Sequence, residues 1–146
     1  MPERDPAVSV IRLRNRLGEL NRLHPFVEQF CRAGGLPPDD AFALSLALDE
    51  LVTNVIVHGH RGDSDAPVHV ELGVAAAQLT LYFEDSAPPF DPLRHLAESA
   101  PDLDQPAHER LVGGLGLPLV ARMCERFDYA HVDGRNRLRL VLGRAG

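Results

Sequence analysis

Two short stretches, "VHVELGV" (68–74) and "QLTLYFED" (78–85), alternate apolar and polar residues and are separated by only three residues. A period of two is the strand pattern, and so short a connection makes a hairpin of antiparallel neighbours. Strands of this kind carry one apolar face, so helices are needed on that face alone. The rest of the chain supplies them. Residues 40–58 place Leu44, Leu48, Leu51 and Val55 in one narrow helical stripe, with Asp39 or Asp40 available as a cap. Residues 16–33 repeat Leu17, Leu20, Leu23, Val27 and Phe30 at helical spacing, and Pro25 predicts a kink or a late helix start. Residues 115–126 read as a third helix, with Pro118 in its opening turn. "AVSVIRLR" (7–14) reads as a first strand, and "FDYAHV" and "RLRLVLG" as a last hairpin around "DGRN". The expectation is one domain over residues 1–146. Its form is a two-layer α/β sandwich: a mixed, mostly antiparallel sheet of about five strands, covered on one face by about three helices.

Composition narrows what such a domain can do. The net charge is −6, which argues against a nucleic-acid surface but not against a pocket for a single nucleotide. All fifteen basic residues are arginine, which excludes a Walker-type phosphate loop, since that loop needs a lysine. No apolar run approaches the roughly 18 residues of a membrane span, and "MPERDPAVSV" lacks the pattern of a signal peptide. Cys31 and Cys124 fall in helical patterns without metal-type spacing and read as small buried hydrophobes in a reducing cytoplasm.

Three stretches carry polar groups where the fold would bury them. Glu50, Asn54 and His58 follow one another at four-residue spacing, on a strip bordering the leucine stripe. An Asn carbonyl is a hard ligand suited to Mg2+, and a Glu one turn away can take a proton from an attacking hydroxyl. Asp85 shares strand parity with Leu79, Leu81 and Phe83, so it points to the helix side, where it can accept from an exocyclic amine. Glu84 takes the opposite face, toward solvent. Gly113, Gly114 and Gly116 precede a helix start, whose free N–H groups favour phosphate oxygens. Each stretch also has a plain structural reading: an amphipathic helix, a strand-end turn and a hinge.

Taken in order, the three resemble the GHKL, or Bergerat-fold, ATPase superfamily. "ELVTNVIVHG" is similar to its N box, "EDSAPPFDP" to its first glycine box and "GGLGLPLV" to its second. Within the superfamily the chain is most similar to anti-sigma-factor serine/threonine-protein kinases. The resemblance implies that Asn54 holds Mg2+ on the ATP phosphates and that Glu50 is the general base. It implies nucleotide contacts from Asn54, His58, Asp85, Ala87, Phe90, Gly114, Leu115, Gly116 and Leu117, with Asp85 on adenine and residues 93–112 as an ATP lid. It further implies phosphorylation of a STAS-domain anti-anti-sigma protein, sequestration of a sigma factor and a homodimer. No nucleic acid or membrane contact is implied. In the absence of lysine, Arg110 and Arg122 are candidates to offset phosphoryl charge.

One position departs from the pattern. Ala87 stands where the first glycine box has glycine, which predicts weaker ATP affinity or slower turnover. The alternative function is a nucleotide-binding interaction switch with weak or no kinase activity; a fragment of a larger ATPase is a further reading. A zinc site at His58, His60, Asp63 and Asp65 is the rival for the histidines, but a helix ending at Gly59 would point the two imidazoles apart.

Overall fold

The computed structural model describes residues 7–94 and 116–144. Five strands, β1 (Ala7–Arg14), β2 (Pro67–Val74), β3 (Gln78–Asp85), β4 (Cys124–Val132) and β5 (Arg135–Gly143), form one sheet in the order β1-β2-β3-β5-β4. Every ladder among them is antiparallel, so the parallel pairing that a mixed sheet would contain is absent among the described residues. Among the described residues the sheet is covered by α1 (Leu20–Ala33), α2 (Pro38–Asn54) and α3 (Gly116–Met123).

Strand parity builds the core. Val68, Val70 and Leu72 of β2, Leu79, Leu81 and Phe83 of β3, and Leu138, Leu140 and Leu142 of β5 are all buried. Leu44, Leu48, Leu51 and Val52 of α2 lie in the same core with Leu23, Val27 and Phe30 of α1 and Leu117 and Val120 of α3. Burying each such side chain contributes on the order of 2 kcal/mol, which holds helices and sheet together. By length and composition Pro38–Gly59 is apolar enough to cross a membrane; in this fold Leu44, Ala47, Leu48, Leu51, Val52, Val55 and Ile56 are core, while Phe42 and Val57 are exposed.

Four local expectations change. The first helix starts before Pro25, after a short 3-10 turn at Leu17–Glu19, and carries that proline inside it. The second helix is capped by neither aspartate. Pro37 occupies the extended N-cap position, Pro38 takes the first helical position, and Asp39 and Asp40 sit in the first turn, where the helix dipole favours acids. The third helix ends at Met123, so Cys124 opens β4 instead of sitting in a helix, and burial pushes its thiol up to about 11. Glu84 is not solvated. Its carboxylate accepts from Tyr82 Oη (2.6 Å) and Arg135 (2.6 Å) and lies 3.3 Å from Arg137. Burial pushes Glu84 up, but these partners outweigh it and hold the carboxyl below its ordinary range.

Candidate functional site

A cleft with about 340 Å3 of empty space, part of it open to solvent, lies at the end of the sheet where α2 finishes. Leu51, Asn54, Val55 and Gly59 line one wall; Phe83, Asp85 and Ala87 line the other, with Phe90, Pro92, Asn136 and Leu138. The helix brings an amide to this cleft and the strand brings a carboxylate, as their periodicities require.

Asp85 is 5 % exposed. Its Oδ1 accepts from the Ala87 N–H (2.9 Å) and from Asn136 Nδ2 (2.9 Å). Burial pushes its carboxyl above the usual range, opposed first by the Asn136 bond, then by the Ala87 bond and by His60 and His131. Asp85 therefore keeps Oδ2 as the oxygen still able to accept from a ligand in the cleft.

Glu50 is half-buried one turn before Asn54, and its Oε2 is buried without a hydrogen-bond partner. Burial, and secondarily Asp49, raises its carboxyl. Asn54 is the last residue of α2 and lines the cleft. The Asn54 amide oxygen is a hard donor that fits Mg2+, which keeps most of its shell as water and phosphate, and the unpartnered Glu50 oxygen one turn away is left to accept a proton.

The strip ends at Asn54. Val55–Gly59 forms a π-turn, closed by the His60 N–H on the Val55 carbonyl (2.8 Å) and the Gly62 N–H on the Ile56 carbonyl (2.8 Å). The wider turn breaks the 100° progression, leaving His58 exposed and outside the cleft lining, with Gly59 at the wall instead. Among the described residues no three His, Cys, Asp or Glu side chains stand together as a metal site, so His58 and His60 gain no zinc ligand set.

Ala87 is 2 % exposed and has no left-handed backbone, so alanine sits there without strain. Its methyl faces the helix end: a Cβ built on Gly59 would stand 2.9 Å from Ala87 Cβ. Gly59 thus makes the room that the first glycine box lacks at position 87. Phe90 lines the cleft, and its N–H donates to Tyr129 Oη and Asn136 Oδ1, both at 3.1 Å. Gly116 opens α3 and Leu117 points into the core, so any contact from Leu117 is through its backbone. Gly113, Gly114, Leu115, Arg110 and the lid beyond residue 94 lie outside the described residues. Arg122 is exposed in the last turn of α3, at the far end from the glycines.

Asn136 is the site residue that sequence reasoning missed. It is 3 % exposed and pairs with Asp85 in the β3–β5 ladder. "DGRN" assigned it to the turn, whereas only Asp133 and Gly134 (φ 55° and 74°) make the turn. Counting strand parity from Leu138 back to Asn136 would have placed it inward.

A family profile described as the histidine kinase-like ATPase domain matches residues 13–142. The chain is similar to the serine-protein kinase RsbW of Listeria monocytogenes serovar 1/2a, 29% identical over 92 residues, covering 62% of this chain and 59% of the relative. It is similar to RsbW of Listeria innocua serovar 6a at 28% over the same length and shares. The chain thus spans about three-fifths of the length of these relatives. The catalytic domain of histidine kinase ThkA, in a nucleotide-free form, superposes with a TM-score of 0.48 at 15% identity, covering 93% of this chain and 97% of that one, too distant to add to the assignment.

Proposed function

The chain belongs to the histidine kinase-like ATPase domain family, and from that premise we propose that it binds Mg·ATP and phosphorylates a serine or threonine of a STAS-domain anti-anti-sigma protein. The observation that carries the nucleotide reading is Asp85: a buried carboxylate at a cleft wall, with one oxygen held by two donors and the other left to accept. The adenine amine donates to that oxygen. Asn54, at the cleft wall, would hold Mg2+, which would supply charge neutralisation for the phosphate oxygens there. Glu50 takes the proton of the attacking hydroxyl, and its burial raises its basicity toward that task. The phosphate oxygens rest on the amides of Gly116 and Leu117, which open α3, together with those of Gly114 and Leu115 in the glycine-rich sequence before it. The similarity to the RsbW serine-protein kinases supports the protein-kinase reading. The anti-sigma reading adds that this domain sequesters a sigma factor and acts as a cytoplasmic homodimer.

Incubation with labelled Mg·ATP and STAS proteins from the same genome tests the reading. A phosphoserine or phosphothreonine product, lost in Glu50→Ala, is expected. Transfer that survives Glu50→Ala overturns the base assignment. A second reading, a nucleotide-holding switch without turnover, rests on Ala87 at the cleft wall. Nucleotide-dependent sigma binding with no labelled product would favour it.

A further inference from the structure

Asn136 makes more of its amide than any other side chain at the cleft. Nδ2 donates to Asp85 Oδ1 (2.9 Å), the Ala87 carbonyl (3.1 Å) and the Pro88 carbonyl (3.1 Å). Oδ1 accepts from Tyr129 Oη (2.6 Å) and the Phe90 N–H (3.1 Å). The acceptors around Nδ2 and the donors around Oδ1 fix which way the amide faces, because a flipped amide would set oxygen against oxygen at Asp85. Tyr129 therefore orients Asn136, and Asn136 always presents an N–H to Asp85. With the Ala87 N–H on the same oxygen, Oδ1 is filled and Oδ2 is left for the ligand.

We propose that Asn136, oriented by Tyr129, is the positioning residue that makes this cleft select 6-amino over 6-oxo purines, by holding Asp85 in its anionic, acceptor-only form. The inference rests on the reading of Asp85 as the base-binding group and goes beyond it by naming what controls that group. An anionic Asp85 accepts from the amine of adenine and repels the carbonyl oxygen of hypoxanthine or guanine. A protonated Asp85 reverses the preference, since its O–H donates to a 6-oxo group. Burial pushes Asp85 toward the protonated form, and the Asn136 bond is the largest opposing influence. The other groups acting on it are the Ala87 N–H, His60 beyond the end of α2, and His131 of β4; Tyr129 feels Asp85 and Asp91. On the neighbouring β2, Val68 pairs with Asp85, and His69 lines a second pocket with Glu84, Asp85 and Arg135. Neither His60 nor His131 donates to Asp85 in the structure, and His60 Nε2 is buried without a hydrogen-bond partner.

The test is the dissociation constant of Mg·ATP and of Mg·ITP, measured at pH 6 and pH 8 for the full chain and for Asn136→Ala. The parent chain is expected to prefer ATP at both pH values. In Asn136→Ala the preference should fall at least about tenfold at pH 6 and recover toward pH 8, one unit of pKa corresponding to a tenfold change in the protonated fraction. A merely structural role would weaken both nucleotides together and leave their ratio unchanged at both pH values; that result overturns the proposal. Should Asn136→Ala not fold, Tyr129→Phe serves, because Phe90 keeps its bond to Asn136 Oδ1. The same change in ratio, smaller in size, is expected there, and an unchanged ratio is again decisive against the idea. A parent chain that binds neither nucleotide overturns the adenine reading together with this one. A parent chain that prefers ATP while both variants keep its ratio overturns this one alone.

Discussion

The molecule buries two asparagines, and they do different work. Asn15, fully buried after β1, fastens the loop that follows α2: its Nδ2 donates to the Gly62 carbonyl (2.9 Å) and Ser64 Oγ (3.0 Å). Its backbone adds the Asn15 N–H to the Ala66 carbonyl and accepts from the Ser64 N–H. All these partners are neutral. Asn136 likewise fastens a segment, residues 87–90, but its amide also meets a buried carboxylate at the wall of a cleft. The first clamp closes a loop; the second closes a loop and sets the state of a charge. Similar burial and similar side-chain chemistry thus support a structural role at one end and a functional one at the other, and the partner decides which.

The largest expected effect is Asn136→Ala, a loss of about 3 kcal/mol in urea unfolding, because it strips the donor from a buried carboxylate and several backbone groups at once. Asn15→Ala should cost about 2 kcal/mol, with only neutral groups left behind. The contrast breaks if the two respond alike to Asp85→Asn. Asn136→Ala should couple to Asp85→Asn by about 1 kcal/mol, while Asn15→Ala should add to it independently.

Stability against pH sharpens the same point. Asp85 carries a raised carboxyl in the folded state, so above the ordinary carboxylate range the folded chain holds the extra proton. Stability then falls as pH rises from that range through the folded value. Asp85→Asn should remove that part of the slope, and Asn15→Ala should retain it.

Gly59→Ala tests how the cleft wall is packed. Its new methyl would collide with Ala87, costing about 1–2 kcal/mol, and Ala87→Gly in the same chain should restore most of the loss. A smaller effect is expected at Glu50, whose raised carboxyl works in the same direction as Asp85. Glu50→Gln should raise the urea midpoint at pH 7 and leave it unchanged at about pH 3, below the ordinary carboxylate range, where the parent carboxyl is protonated in both folded and unfolded chains. At the exposed rim of the Asn15 loop, Arg16 pairs with Asp65 in full contact with solvent, and Arg16→Ala should leave the midpoint unmoved.

Much of this organisation was legible before the fold. Strand parity placed Asp85 inward beside Phe83, and helical spacing placed Asn54 with Leu51 along α2, because both rest on local periodicities that tertiary packing had no reason to overturn. His58 left the strip because a π-turn is a departure from the very period used to place it. Asn136 was hidden by a boundary: a turn signal four residues long was spent on a turn of two.

From its sequence the chain determined a one-faced, mostly antiparallel sheet, its helical cover and the inward aim of one carboxylate, since each follows from the spacing of apolar residues along a single element. Tertiary structure decided which groups meet that carboxylate. Asp85 and Asn136 are far apart in the chain and become neighbours only through the β3–β5 register, and Gly59 reaches Ala87 only once α2 has unwound into its last turn. Periodicity is a property of one segment. Register, and the hydrogen bonds it brings within reach, is a property of two.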